Sequence, residues 1–218
     1  MLISQVTPVV FVHGLWLNGL ESFLLRDRLT KAGFAPTVFR YPSMNSSLKD
    51  VTAALAARLR SFDSMVHTVG HSLGGVIVLE TLEREGELPP GRTVLLGSPV
   101  RGSRAARSIA AWAVGPRLLG SLVVAELTRE RNRNWSLPRV IGMIAGCRSA
   151  GLGRVFADLP QPNDGTICVD ETQLPGTTEH LVLDVSHTGM LFSSPVADAV
   201  QNFLVNGSLV ARVRNSRH

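Results

Sequence analysis

The feature that most constrains this 218-residue chain is the pentapeptide Gly70-His71-Ser72-Leu73-Gly74, set between two different periodicities. Met65 to Val69 before it is an apolar run suited to a buried strand. Leu73 to Glu85 after it carries helical spacing and stops near Gly86. A strand that turns at once into a helix forces its corner residue into strained backbone space, and small neighbours relieve the crowding. Such a corner lifts the serine oxygen above the sheet, and the helix amides behind it favour developing negative charge. A glycine-rich helix start capped by a serine would leave similar letters. The apolar strand feeding straight into the motif argues for the corner instead.

The rest of the chain repeats the alternation of strand and helix. Strands are predicted at Val9 to Val12, Thr37 to Phe39, Thr93 to Leu96, Arg139 to Ala145 and His180 to Val185. Helices are predicted from Asn18 to Lys31, from Leu48 to Leu59 and from Pro195 to Leu204, with Pro195 in a first turn. With the strand before Gly70 this makes about six strands, and the expected fold is α/β: a mostly parallel sheet covered by helices on both faces. One domain is expected over residues 1–218. The alternation fails between Val100 and Pro138, and residues 101–138 are read as a helical cap or lid over the carboxyl edge of the sheet, where such sheets bind ligands.

Composition limits the class of molecule. At 44% hydrophobic and 18% charged the chain is globular rather than disordered. Its net charge of +5 is local: between Arg101 and Arg154 ten arginines meet only Glu126 and Glu130. That stretch is either a solvated face or a surface for transient contact with anionic lipid; no nucleic-acid-binding motif accompanies it. Cys147 and Cys168 are too few for a disulfide scaffold, and either a bridge or two buried thiols fits. The first strand begins so early that no secretory leader fits ahead of it, so a cytoplasmic protein is expected, although a secreted protein written from its mature start would read the same. Ser108 to Leu127 is apolar, but Pro116 and Arg117 make it a poor membrane span.

Three segments together resemble the α/β-hydrolase family, and within it small bacterial lipases and esterases: Val10-Phe11-Val12-His13-Gly14, Gly70-His71-Ser72-Leu73-Gly74-Gly75 and Gly97-Ser98-Pro99. The resemblance covers most of the chain and thins in the predicted cap. It implies Ser72 as nucleophile. It also implies that His13-Gly14 opens an oxyanion loop, with the amides of Leu15 and Leu73 as the donors. Gly14 would let the backbone approach the substrate, and His13 would be structural. Trp16 reads equally as a pocket wall or a core aromatic, and Trp112 is a second tentative pocket residue. No cofactor and no metal is implied.

A serine hydroxyl needs a base, and the base an orienting carboxylate. In this family the chain order is Ser, then Asp or Glu, then His, which removes His13, His67 and His71. Of the later histidines, His218 ends the chain, His180 opens a strand, and His187 follows the last strand in a loop. His187 is the expected base. Asp158, Asp164, Asp170 and Glu171 are candidate acids, and Asn163-Asp164-Gly165-Thr166 resembles the family's acid-bearing segment. The same letters favour a plain turn. Asp164 is the expected acid; Asp184 is close to His187 in sequence but is predicted to lie within the last strand.

The function expected from these residues is hydrolysis of an acyl ester, lipid-like in view of Ile109, Trp112, Val114, Leu118, Leu119, Leu122 and Val123 in the cap. The alternatives are acyl transfer or thioester hydrolysis by the same groups, or a non-catalytic ligand-binding member of the fold. Oligomeric state is not encoded in any of these patterns.

Overall fold

A computed structural model describes residues 6–150 and 158–211. Six strands form one all-parallel sheet: β1 (Thr7–Val12), β2 (Phe34–Phe39), β3 (His67–His71), β4 (Thr93–Leu96), β5 (Ile141–Gly146) and β6 (Glu179–Leu183). Their order across the sheet is β2-β1-β3-β4-β5-β6. This is the parallel α/β sheet anticipated from the alternation.

The two faces of the sheet bury two separate apolar clusters, and β1 shows how the pleat sorts residues between them. Val10 and Val12 enter the cluster under α2 (Leu48–Arg60) and α3 (Leu73–Arg84). Val9 and Phe11 enter the cluster under α1 (Phe23–Lys31) and α6 (Ser194–Asn206). Both sides being apolar, the strand reads as a continuous run rather than an alternating one. Local chemistry sets the helix ends. Ser47 caps α2 by accepting the Asp50 amide at 3.1 Å, and α6 has Pro195 in its first turn and left-handed Gly207 at its end.

The segment after β4 departs from simple alternation. It holds α4 (Arg104–Ala110) and α5 (Gly115–Leu127), after which residues 128–138 run without regular structure. Helix therefore occupies less of the stretch 101–138 than expected. Ile109, Leu119, Leu122 and Val123 pack into the same cluster as α2 and α3, whereas Trp112, Val114 and Leu118 stay exposed. The irregular tail is fastened from below: buried Glu80 of α3 accepts from Arg131 at 2.9 Å and from Arg133, while Arg131 also bonds Glu126.

Several boundaries differ from expectation for visible reasons. β2 starts at Phe34 and includes Pro36, which an edge strand tolerates because its missing N–H can face away from the ladder. The stretch before α1 is a 3-10 turn (Leu20–Ser22) behind left-handed Gly19. β6 stops at Leu183, so Asp184 lies just beyond it, paired with Arg148 at 2.7 Å. Cys147 and Cys168 are free thiols. No helix among the described residues is long and apolar enough to cross a membrane.

Candidate active site

The carboxyl ends of β3 and β4 meet at Ser72. Its backbone is left-handed (φ 54°, ψ −125°), which a side-chain-bearing residue adopts only when its surroundings enforce it. Two bonds do so: the Ser72 amide donates to the Leu96 carbonyl at 2.9 Å, and its own carbonyl accepts the Gly75 amide at 3.0 Å. Gly74 explains the second half of the motif. A Cβ there would overlap the Val12 carbonyl at the end of β1, so only glycine lets α3 start this close to the sheet. Ser72 itself is half-buried at the head of α3.

The loop after β5 and the loop after β6 supply the next two groups. Asp164 is buried, with 1% of its side chain exposed, and its Oδ2 lies 2.7 Å from His187 Nδ1. Its Oδ1 accepts the amides of Thr166 and Ile167 at 2.9 and 2.7 Å. The turn and the acid are thus one object: the Asn163–Thr166 turn satisfies one carboxylate oxygen and aims the other at the imidazole. The His187 amide closes the arrangement by donating to the Asp164 carbonyl at 2.9 Å. With Nδ1–H given to the carboxylate, Nε2 remains as a proton acceptor.

His71 links this pair to the serine corner. Its Nε2–H donates to the His187 carbonyl at 3.1 Å, and the two rings are 4.8 Å apart. The His71 ring is buried and its pKa is pushed down to about 3, first by burial and then by the neighbouring His187. A Cβ placed on Gly97, at the end of β4, would lie 3.1 Å from both Asp164 Oδ2 and His187 Nδ1, which locates the pair against that strand end.

The loop after β1 completes the site. Gly14 approaches Ser72 closely enough that a Cβ on it would be 3.1 Å from the Ser72 Cβ. His13 is buried and stacked on Tyr41, with ring centroids 4.4 Å apart. His13 Nδ1–H donates to the Gly14 carbonyl at 2.9 Å, and the Tyr41 hydroxyl donates to the His13 carbonyl at 2.9 Å. Burial lowers the His13 pKa, so the ring sits there neutral. Tyr41 therefore holds the loop. Nothing in the sequence marks Tyr41 as a partner of residue 13. Among the described residues the amides of Leu15 and Leu73 donate to no protein acceptor.

The remaining candidates stand elsewhere. Asp158 is exposed, and Asp170 is held by Arg104 in two bonds of 2.7 and 2.8 Å. Glu171 accepts the amides of Cys168 and Arg104, and His180 bonds the Thr172 hydroxyl at 2.8 Å. His218 lies outside the described residues. Trp16 is 58% exposed and so no core aromatic; its indole bonds the Leu118 carbonyl of α5 at 2.9 Å. Trp112 is also exposed. A groove of about 570 Å³ lined by Leu82, Leu88, Pro90, Leu137 and Arg139 opens near the C-terminal end of α3, remote from Ser72. Among the described residues no three His, Cys, Asp or Glu side chains cluster to hold a metal ion.

No curated protein matches the chain by sequence. Among solved structures it is similar to the mature lipase BlEst2 of Bacillus licheniformis. There the TM-score is 0.70 at 23% identity, over 85% of this chain and 86% of that one. The RedJ thioesterase of the prodiginine pathway of Streptomyces coelicolor superposes with TM-score 0.60 at 15% identity, covering 91% of this chain and 88% of that one. A monoacylglycerol lipase of Paleococcus ferrophilus gives 0.59 at 15%, covering 92% and 95%. At such identities the likeness speaks for the fold. The alpha/beta hydrolase family profile matches residues 9–202, nearly the whole sheet and the helices on it, and the chain belongs to that family.

Proposed function

We propose that this protein hydrolyses carboxylic esters with an apolar acyl group, using Ser72 as nucleophile, His187 as base and Asp164 as the carboxylate that orients it. The observation that carries the reading is the 2.7 Å bond between Asp164 Oδ2 and His187 Nδ1, formed beside a left-handed serine at a strand–helix corner. A ligand-binding member of the fold would need neither a buried carboxylate nor a histidine pointed this way.

In the proposed reaction Ser72 Oγ attacks the acyl carbon as His187 Nε2 takes its proton. Asp164 fixes the tautomer and stabilises the imidazolium. The carbonyl oxygen becomes an anion held by the amides of Leu15 and Leu73, each such donor lowering the barrier by about 3–4 kcal/mol. The alcohol leaves with the proton from His187. Water then enters, gives its proton to His187 and adds to the acyl carbon; Ser72 departs with that proton and the acid is released.

An apolar acyl group is supported by what surrounds the proposed mouth. Trp16, Leu20, Phe23, Trp112, Leu118 and Phe192 are all exposed, and they come from the loops after β1 and β6, the start of α1 and the α4–α5 segment. The arginines of this region contribute less to an anionic-lipid surface than their number implies. Arg104, Arg107, Arg131, Arg133 and Arg148 are in ion pairs. Contact with lipid through apolar side chains is therefore the reading carried forward, with α4–α5 as the proposed cap.

The test is turnover of p-nitrophenyl esters of graded chain length, with and without an alcohol acceptor, in wild type and Ser72→Ala. Hydrolysis that rises with chain length and disappears in the variant is the expected result. Ester formation dominating when alcohol is present would assign acyl transfer to the same groups. Fluorophosphonate labelling that persists in folded Ser72→Ala would remove Ser72 from the reading.

A further inference from the structure

α5 is not one helix. At Gly120 its backbone leaves helical space (φ 76°, ψ 162°). In an unbroken helix the Leu118 carbonyl would accept from residue 122, and the Ser121 amide would donate to Arg117. The break frees both groups, and two loops of the site take them. The Trp16 indole N–H donates to the Leu118 carbonyl at 2.9 Å, and the Ser121 amide donates to the Met44 carbonyl at 3.1 Å. A Cβ on Gly120 would lie 2.7 Å from the Met44 Cα, so the seam needs glycine at that position.

Trp16 carries the consequence inward. It stands in left-handed space (φ 58°), which so bulky a residue adopts only when its surroundings enforce it. Its ring is more exposed than covered, so core packing does not hold that conformation. The indole bond to α5 does. The residue immediately before it is Leu15, whose free amide is the proposed oxyanion donor.

We infer that Trp16 is a positioning residue: by bonding the carbonyl that the Gly120 break frees, it sets the Leu15 amide, so transition-state stabilisation depends on where α5 sits. This rests on the reading of Ser72 and Leu15 given above. An oxyanion donor acts on the charge that develops in the transition state and hardly on the bound ester. Loosening it lowers kcat and leaves KM alone, whereas removing a wall of the substrate pocket raises KM.

The variant Trp16→Phe keeps an aromatic ring and deletes only the donor. The assay uses p-nitrophenyl acetate, whose acyl group carries only a methyl. Expected is a kcat lower on the order of ten- to a hundred-fold at unchanged KM, since small misplacement of a catalytic group has effects of that size. Labelling by a small fluorophosphonate should slow in the same proportion, with the far-ultraviolet circular dichroism unaltered. Gly120→Ala, which displaces the same seam from the other side, should lower kcat alike. The double variant should lose less than the product of the two, because both act through one contact. A rise in KM at constant kcat, or wild-type kinetics in Trp16→Phe, overturns the inference. Ser72→Ala run in parallel separates the two layers. If it is inactive while Trp16→Phe is normal, only the positioning role falls; if it still turns over, the Ser72 reading and the positioning role fall together.

Discussion

His71 donates its Nε2–H to the main-chain carbonyl of His187 at 3.1 Å, so the residue before the serine corner holds the loop that carries the other histidine. That bond requires a ring protonated at Nε2. Nδ1 is buried without a hydrogen-bond partner among the described residues, which leaves no place for a second proton. The neutral ring is therefore part of the folded structure, and acid should attack it.

The pH dependence of stability follows in sign. His71 is lowered to about 3 and His67 to about 4, both chiefly by burial, against 6.5 for an ordinary histidine. Between those values the unfolded chain binds protons that the folded chain does not, so stability rises with pH across the window. It is fully present above about 6.5 and is lost progressively as pH falls toward 4. Urea melts from pH 4 to 8 should show this slope, and His71→Asn should flatten it. A slope unchanged by the variant would place the acid sensitivity elsewhere.

Asp164→Asn should leave the protein folded and cut kcat on the order of 10⁴-fold, because an amide facing Nδ1 favours the wrong tautomer. Asp184→Asn is the matched control. Asp184 lies three residues from His187 in sequence, but its side chain is 72% exposed and paired with exposed Arg148 at 2.7 Å. Exposed pairs contribute little to stability. The control should retain full turnover and melting temperature. Activity lost in Asp184→Asn and kept in Asp164→Asn would reverse the assignment of the acid.

Glu80 is the buried anchor of residues 128–138. Its side chain is 3% exposed, and Arg84, Arg131 and Arg133 all reach it. Burial raises its pKa, and the hydrogen bonds and charges of the arginines outweigh that, so the carboxylate is held below its usual range. Removing one member of a buried ionic cluster leaves the others uncompensated, at a cost of about 3–5 kcal/mol. Glu80→Ala should accordingly lower the melting temperature sharply and open the Arg131–Arg133 stretch to trypsin before the rest of the chain. Glu83→Ala, which removes a more exposed acid from Arg133, should do far less.

The contrast between Glu80 and Asp164 shows what could be read in advance. Asp164 and His187 could be named in advance because Asn163-Asp164-Gly165-Thr166 resembles the family's acid-bearing segment and His187 stands in the loop after the last strand, where the family's chain order puts the base. Arg84 is one helical turn from Glu80, but its other two partners, Arg131 and Arg133, lie about fifty residues onward in a stretch read as helical cap, so nothing local pairs them with it. The arginines beyond Val100 looked like outward charge for the same reason. The start of β2 was hidden by Pro36, which breaks a central strand but not an edge one. The break at Gly120 was equally silent, because glycine inside an apolar helical run signals either tolerance or a kink, and the carbonyl of Met44 decides which.

This pairing also decides how salt should act on lipid substrates. If the arginines between Arg101 and Arg148 faced a membrane, screening would weaken adsorption to anionic vesicles. Most of them instead face carboxylates of their own chain, among them Glu80, Glu126, Glu130, Asp170 and Asp184. Arg139 is held by the carbonyls of Val66 and Pro89. What the loop after β1, the start of α1 and the α4–α5 segment present to solvent is Trp16, Phe23, Trp112, Val114 and Leu118. Apolar contact is strengthened, not weakened, by salts excluded from the protein surface. Hydrolysis of an ester carried in zwitterionic vesicles should hold or rise as sodium sulfate is added. On anionic vesicles it should fall by no more than a few-fold between low and physiological ionic strength. Trp112→Ser should depress both vesicle rates while leaving a short soluble ester untouched. A steep salt-dependent loss confined to anionic vesicles, unaltered by Trp112→Ser, would return the interface to charge.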